Sequence, residues 1–124
     1  MRWALWVLAA ITVSVGCASS GVQARAHAEM REGVRAAQRN YWQEAFFRFQ
    51  NAKALEPSDP EVLNNLAVAL EALGRYDEAL ATYKQALQGG SKPTALRRNY
   101  ARFAEFFTSY AKGVKPKDIT DASH

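Results

Sequence analysis

The sequence predicts an all-α protein built from helical hairpins. Two amphipathic stretches joined by a tight turn occupy residues 60–88, and apolar residues recur in both at helical spacing. The same arrangement of small and aromatic residues lies 34 residues upstream, with position 42 matching position 76. Half of the arrangement returns 34 residues downstream, with position 110 matching position 76. Glycine and proline separate the stretches, as is typical between short helices. These observations predict two hairpins followed by one further helix.

The hairpin at 60–88 has the clearest local signals. Asp59 can cap its first helix, and Pro60 suits a first turn, where a backbone N–H needs no helical partner. Gly74 is predicted to end that helix, because a residue without Cβ adopts a left-handed conformation without steric cost. The second helix is predicted to begin near Tyr76. The two apolar faces comprise Val62, Leu66, Ala69, Leu70 and Leu73, then Tyr76, Ala79, Leu80, Tyr83, Ala86 and Leu87.

The other copies keep the same register. The upstream copy matches the hairpin at six positions: Gly33 with Ala67, Asn40 with Gly74, Trp42 with Tyr76, Ala45 with Ala79, Phe49 with Tyr83, and Ala52 with Ala86. The downstream copy matches it at four positions: Leu96 with Val62, Asn99 with Asn65, Ala101 with Ala67, and Tyr110 with Tyr76. A helix–turn–helix unit that returns at this interval, with small and aromatic residues so spaced, resembles the tetratricopeptide repeat. The resemblance implies one domain at 23–112, with two full repeats at about 26–59 and 60–93. A capping helix at 94–112 and a basic flexible tail at 113–124 complete this prediction.

Within the first repeat we expect helices at about 22–39 and 41–55. Gly33 lies inside the first of these helices, where glycine costs roughly 1 kcal/mol of helix propensity relative to alanine. We expect the second helix to approach closely at Gly33 in compensation.

Residues 1–16 are predicted to be a signal peptide. Arg2 precedes an apolar run at 3–15, which is shorter than the ~20 residues that a spanning helix needs. The sequence around Cys17 resembles the end of a bacterial lipobox, although Ser14 stands where leucine is usual. This resemblance implies lipidation of Cys17, a short tether at 17–22 and, because Ala18 rather than Asp follows the cysteine, an outer-membrane lipoprotein facing the periplasm. The alternatives are a secreted periplasmic protein, cleaved near 18–20, and an inner-membrane anchor.

The sequence offers little for catalysis. Its two histidines, His27 and His124, are far apart, and no pair of His, Asp or Glu has convincing metal-ligand spacing. Asp77 and Glu78 are adjacent, so they diverge by about 100° on a helix. We therefore predict no enzyme activity, no cofactor and no metal. Nucleic acid is not an expected partner, because the predicted export signal separates the protein from it.

The repeat resemblance implies a concave groove, lined by the first helix of each pair, that receives a peptide or a partner's helix. Arg98 and Arg102 are one helical turn apart, and we expect them to face an acidic segment. Only Asn65 matches the clamp with which some repeats of this family bind acidic chaperone tails, so that role is not expected. The predicted groove residues are Met30, Arg31, Val34, Asn64, Asn65, Val68, Arg98, Asn99, Arg102 and Phe106.

The function implied is that of a non-catalytic adaptor in the assembly of a bacterial envelope complex, with a protein or peptide partner and a lipid anchor. An alternative is a structural subunit completed by a partner or by self-association, since two full repeats fall short of the three usually needed for stability.

The lipobox resemblance makes a direct prediction. Replacement of the thiol in Cys17→Ala removes the attachment point, and should abolish fatty acylation and lipoprotein-specific processing. Metabolic labelling with a fatty-acid analogue measures the effect. Equal labelling of the wild type and the variant would contradict lipidation at Cys17.

Overall fold

The computed structural model describes residues 15–113, and within this range all regular structure is helical. The helices are α1 (Val15–Gln38), α2 (Trp42–Leu55), α3 (Pro60–Ala72), α4 (Tyr76–Leu87) and α5 (Thr94–Ala111). α1 packs on α2 and α3 packs on α4, while α2 contacts α3 and α5 contacts both helices of the second hairpin. The predicted all-α fold of two hairpins and a final helix is confirmed.

The two hairpin turns have the same backbone geometry at equivalent positions of the two repeats. Asn40 and Gly74 are left-handed, with φ of 60° and 74°. The residue that follows, Tyr41 in one turn and Arg75 in the other, donates its N–H at 2.9 Å to the carbonyl five residues earlier. This is the Schellman ending of a helix, in which the left-handed residue lets late carbonyls find donors. The structure therefore confirms the sequence register that aligns Asn40 with Gly74.

The predicted start of α3 is also confirmed. Asp59 lies at the N-cap, and its carboxylate accepts hydrogen bonds from the N–H groups of Glu61 at 2.8 Å and Val62 at 3.2 Å. These bonds satisfy two of the amides that a helix leaves without helical partners. Pro60 occupies the first turn, where its missing N–H costs nothing.

The first hairpin closes around Gly33. A Cβ at this position would overlap Cε1 of Phe49 and lie 2.7 Å from Cδ1 of the same buried ring. Since real Cβ contacts are essentially never so short, only glycine lets the Phe49 ring lie against α1 at this depth. Small residues elsewhere in the core serve the same close packing, and those with no exposed area are Ala45, Ala52, Ala67, Ala69 and Ala79.

α5 ends the array. Leu96 and Phe103 are fully buried on the side of α5 that faces the second hairpin. Ala101 and Glu105, on other sides of the helix, are exposed. The exposed positions of α5 are mostly small or charged, with Tyr110 near its C-terminal end as an aromatic exception at 46% exposure.

The N-terminal part of α1 differs from the sequence prediction. Residues 17–22, expected to form a flexible tether, are helical, and α1 begins at Val15 rather than near Val22. Gly21 does not interrupt the helix, because a single glycine only lowers helix propensity by about 1 kcal/mol. The predicted signal segment 1–16 and tail 113–124 lie outside the described residues except for positions 15, 16 and 113. Across residues 15–113, none of the helices combines the length and apolar character needed for a bilayer span.

The packing at Gly33 predicts that alanine changes stability differently at two glycines of α1. Gly33→Ala should lower stability by roughly 1–3 kcal/mol, because the new methyl group must displace the buried Phe49 ring. Gly21→Ala in the same helix meets no atom within 4 Å and should leave the thermal midpoint unchanged or raise it. Thermal unfolding followed by circular dichroism checks both variants. Equal midpoints would show that α2 does not approach α1 at Gly33.

Candidate partner-binding groove

An open chamber of about 310 Å³ lies between α1 and α3, with α2 as its floor. Two aliphatic side chains face each other across it, Val34 from α1 and Val68 from α3, and Trp42 and Phe49 come from α2. Val34 is 38% exposed at this site. We refer to this site as the apolar chamber, and its lining is Val34, Ala37, Gln38, Trp42, Phe49, Asn65 and Val68.

A chain of three amides runs from α5 to the apolar chamber. Asn99 donates from Nδ2 to Oδ1 of Asn64 at 3.1 Å, and Asn64 donates from Nδ2 to Oδ1 of Asn65 at 3.3 Å. Because an amide group has two N–H donors and one carbonyl acceptor, this arrangement leaves the Nδ2 group of Asn65 as a donor at the chamber. Asn64 is only 5% exposed, so it connects its neighbours rather than facing a partner.

The repeat register explains why this chamber is open. In the second hairpin, Tyr76 is covered by the ring of Phe106, with centroids 4.9 Å apart. Trp42 is the counterpart of Tyr76 one repeat earlier, and the counterpart of Phe106 is Ala72. A methyl group is too small to cover an indole ring. Trp42, which is half-buried as Tyr76 is, has no aromatic ring at that register position and lines the chamber.

A polar network fills the equivalent place between α3 and α5. The buried Tyr83 hydroxyl donates to Oε2 of Glu71 at 2.5 Å, and Arg102 donates to both oxygens of the same carboxylate at 3.2 Å. Burial, and then the hydrogen bond and charge of Glu71, raise the pKa of Tyr83 above its ordinary value of 10.0. Glu71 thus connects the core to α5.

The counterparts of this network in the first repeat are apolar. Tyr83 corresponds to Phe49, which has no hydroxyl, and Glu71 corresponds to Ala37, which has no acceptor. Arg102 corresponds to Val68. All three positions change together, so the junction between α3 and α5 is polar while the junction between α1 and α3 is apolar.

Only some of the predicted groove residues line the apolar chamber. Val34, Asn65 and Val68 line it, whereas Arg98 and Arg31 are exposed on α5 and α1 without an acidic partner among residues 15–113. The remaining predicted residues lie elsewhere: Met30 and Asn64 are buried, Asn99 bonds to Asn64, Arg102 pairs with Glu71, and Phe106 packs against Tyr76 and Tyr110.

These differences have physical causes. Arg102, which the sequence predicts to face an acidic partner, forms an ion pair with Glu71 of α3 at 3.2 Å, and its side chain is 62% exposed. The sequence also places Phe106 in the groove, but covering Tyr76 removes apolar area from water. Sequence reasoning treats Trp42 and Phe49 only as packing residues. The small Ala72, at the repeat position where Phe106 stands one repeat later, is the sequence signal that points to this site.

A second, smaller chamber of about 190 Å³ lies further along the same two helices, towards their N-terminal ends. Ala26, Met30 and Val62 give it an apolar wall. Carboxylates from the connector and from the start of α3 form its rim, together with His27. We refer to it as the acidic chamber, and its lining is Gln23, Ala26, His27, Met30, Glu56, Asp59, Glu61 and Val62.

The acidic chamber does not have the donor arrangement of a metal site. Across the described chain, no three His, Cys, Asp or Glu residues converge closely enough to hold a metal ion. Asp59 is engaged in capping α3. Glu56 and Glu61 form no ion pair within residues 15–113, which leaves their charges available at the rim.

The hairpin whose first helix forms one wall of both chambers also has a family match. Residues 60–88 match the family model described as tetratricopeptide repeat. The matched segment comprises α3, the Gly74 turn and α4, and the first hairpin repeats its turn geometry. The chain is therefore an all-α helical repeat protein, and repeats of this kind indicate a protein-interaction module. None of the curated proteins compared matches the chain.

The Tyr83 network predicts a dependence of stability on pH. Tyr83→Phe should cost about 1.5–3 kcal/mol near neutral pH, because it removes a buried hydrogen bond to a carboxylate. The unfolded chain loses the phenol proton near pH 10, whereas the folded chain keeps it to higher pH, because its pKa is raised. The stability that Tyr83 contributes is therefore present below about pH 10 and is lost as pH rises above it.

Urea unfolding at about pH 8 and about pH 11 measures this effect. The wild type should lose more stability between the two conditions than Tyr83→Phe. Tyr100→Phe is the matched control, since Tyr100 is half-buried and its hydroxyl has no hydrogen bond within the described chain. An identical pH response in the wild type and Tyr83→Phe would contradict the network.

Proposed function

We propose that this protein is a non-catalytic adaptor that holds a segment of a partner protein in the groove between α1 and α3. The apolar chamber is the observation that carries the proposal. It places Val34, Val68 and Trp42 around an open space at the surface, with Asn65 beside them as a hydrogen-bond donor. A partner side chain that enters this space removes apolar area from water.

Hydrogen bonding completes the fit to a peptide. Asn65 accepts from Asn64 and keeps its own N–H groups for a partner's carbonyl. Gln38 on the opposite wall carries a second amide. An extended segment exposes its backbone carbonyls and N–H groups, whereas a helix satisfies its own. An extended segment is therefore the form of partner that suits this groove.

The proposal extends to location. Residues 1–16 have the composition of a signal peptide, and Cys17 follows them in a sequence that resembles a lipobox. A lipid on Cys17 would anchor the groove to a membrane, facing the periplasm, where the partner segment belongs to an envelope complex. Lipidation and location are tested by the Cys17→Ala labelling experiment.

Filling the chamber tests the binding function. Ala72→Phe copies the relation of Phe106 to Tyr76 and should cover Trp42 without disturbing the fold. A photo-crosslinking residue at Val34 should give a discrete protein adduct in cells, and Ala72→Phe should remove it. Mass spectrometry of the adduct then identifies the partner and the crosslinked segment.

Two controls make the result specific. Ala81→Phe adds the same side chain to an exposed position on α4, away from the groove, and should leave the adduct intact. Phe47 is 54% exposed on α2 and lines neither chamber, so a crosslinker there should not give the adduct. The same adduct from both positions, or one insensitive to Ala72→Phe, would overturn the proposal.

A further inference from the structure

The two chambers lie in sequence along one groove. Val34 on α1 and Val68 on α3 line the apolar chamber, while His27 on α1 and Glu61 on α3 line the acidic chamber. Each pair is separated by seven residues, which corresponds to about 10 Å along a helix axis at 1.5 Å per residue. A segment in the extended polyproline II conformation advances ~3.1 Å per residue with about three residues per turn, so side chains three residues apart project from the same side and lie about 9 Å apart. One segment can therefore reach both chambers.

The chemistry of the acidic chamber selects a cation. Glu56 and Glu61 have no ion-pair partner within the described chain, and the lining contributes no lysine or arginine. The nearby apolar wall, formed by Ala26, Met30 and Val62, suits the methylene stem of a long basic side chain. A lysine or arginine can place its stem on this wall and its charge between the two carboxylates.

An acidic segment fits this end of the groove poorly. Bringing a carboxylate next to Glu56 and Glu61 places like charges together, which is unfavourable where water is partly excluded. The cations that the sequence offers to an acidic partner are on α5, and one of them, Arg102, is already paired with Glu71. The acidic chamber and α5 therefore differ in charge, although Arg31 of α1 is also exposed without an acidic partner among residues 15–113.

We propose that the groove between α1 and α3 recognises an extended protein segment in which a lysine or arginine lies three residues from a bulky apolar residue. The apolar side chain occupies the chamber of Val34 and Val68, and the basic side chain occupies the chamber of Glu56 and Glu61. This inference rests on the proposed function, because it names the chemistry of the partner that the same groove binds.

Selection from a random peptide library displayed on phage tests the inference with the purified full-length chain. Peptides bound by the wild type should be enriched in sequences with a basic residue three positions from Leu, Ile, Phe or Met. Glu56→Gln/Glu61→Gln keeps the side-chain shapes and removes both charges. It should reduce the enrichment of basic residues about tenfold and preserve the apolar preference.

The charge control is Asp77→Asn/Glu105→Gln. Both residues are exposed, neither forms an ion pair within the described chain, and the net charge changes by the same amount. This variant should select the wild-type sequences. Equal loss of basic residues in both double variants would mean that the enrichment follows overall charge, and would overturn the inference.

A third variant separates failure of this inference from failure of the proposed function. If Ala72→Phe abolishes selection but the selected peptides have no basic preference, or an acidic one, the groove binds peptides and only the charge inference is wrong. If Ala72→Phe selects the same peptides as the wild type, or the wild type selects none, the proposed function fails and this inference fails with it.

Discussion

The close approach of a buried aromatic ring to a helix at a position without a side chain is the interaction on which the first hairpin depends. The Phe49 ring lies where a Cβ on Gly33 would be. The second hairpin has the counterpart pair Tyr83 and Ala67, both fully buried. These positions fix how closely each pair of helices packs, and the contact of α2 with α3 then sets where α1 lies relative to α3.

The two hairpins have nearly the same backbone geometry, but their equivalent positions hold polar side chains in one repeat and apolar side chains in the other. In the second repeat, Tyr83, Glu71 and Arg102 form a continuous network from the core to α5. Phe49 and Ala37 remove that network from the first repeat, and Val68 provides an apolar wall. The polar side chains between α3 and α5 bond to one another, so few of their donors and acceptors remain available to a partner. The apolar junction keeps accessible surface and a free amide donor, which is the combination that a peptide site needs.

The concave surface is also divided by charge. Carboxylates without ion-pair partners among residues 15–113 surround the N-terminal end of the groove, and arginines lie on α5. The net charge of +4 describes the whole chain and does not reveal this division. A partner that binds through the charges near the groove therefore need not be acidic, even though the whole chain has a positive net charge.

The helices, the hairpin turns and the repeat register were predictable from sequence alone, because they depend on residues close in the chain. Asp59 and Gly74 act through neighbouring backbone groups, and Gly33 indicated a close helix contact before the structure identified Phe49 as the partner. Tertiary packing decided which predicted site residues line the apolar chamber. Whether Arg102 has an acidic partner depends on Glu71, on another helix, and the apolar chamber is lined by side chains of three helices. Such contacts join different helices, so local pattern cannot specify which side chains remain open to a partner.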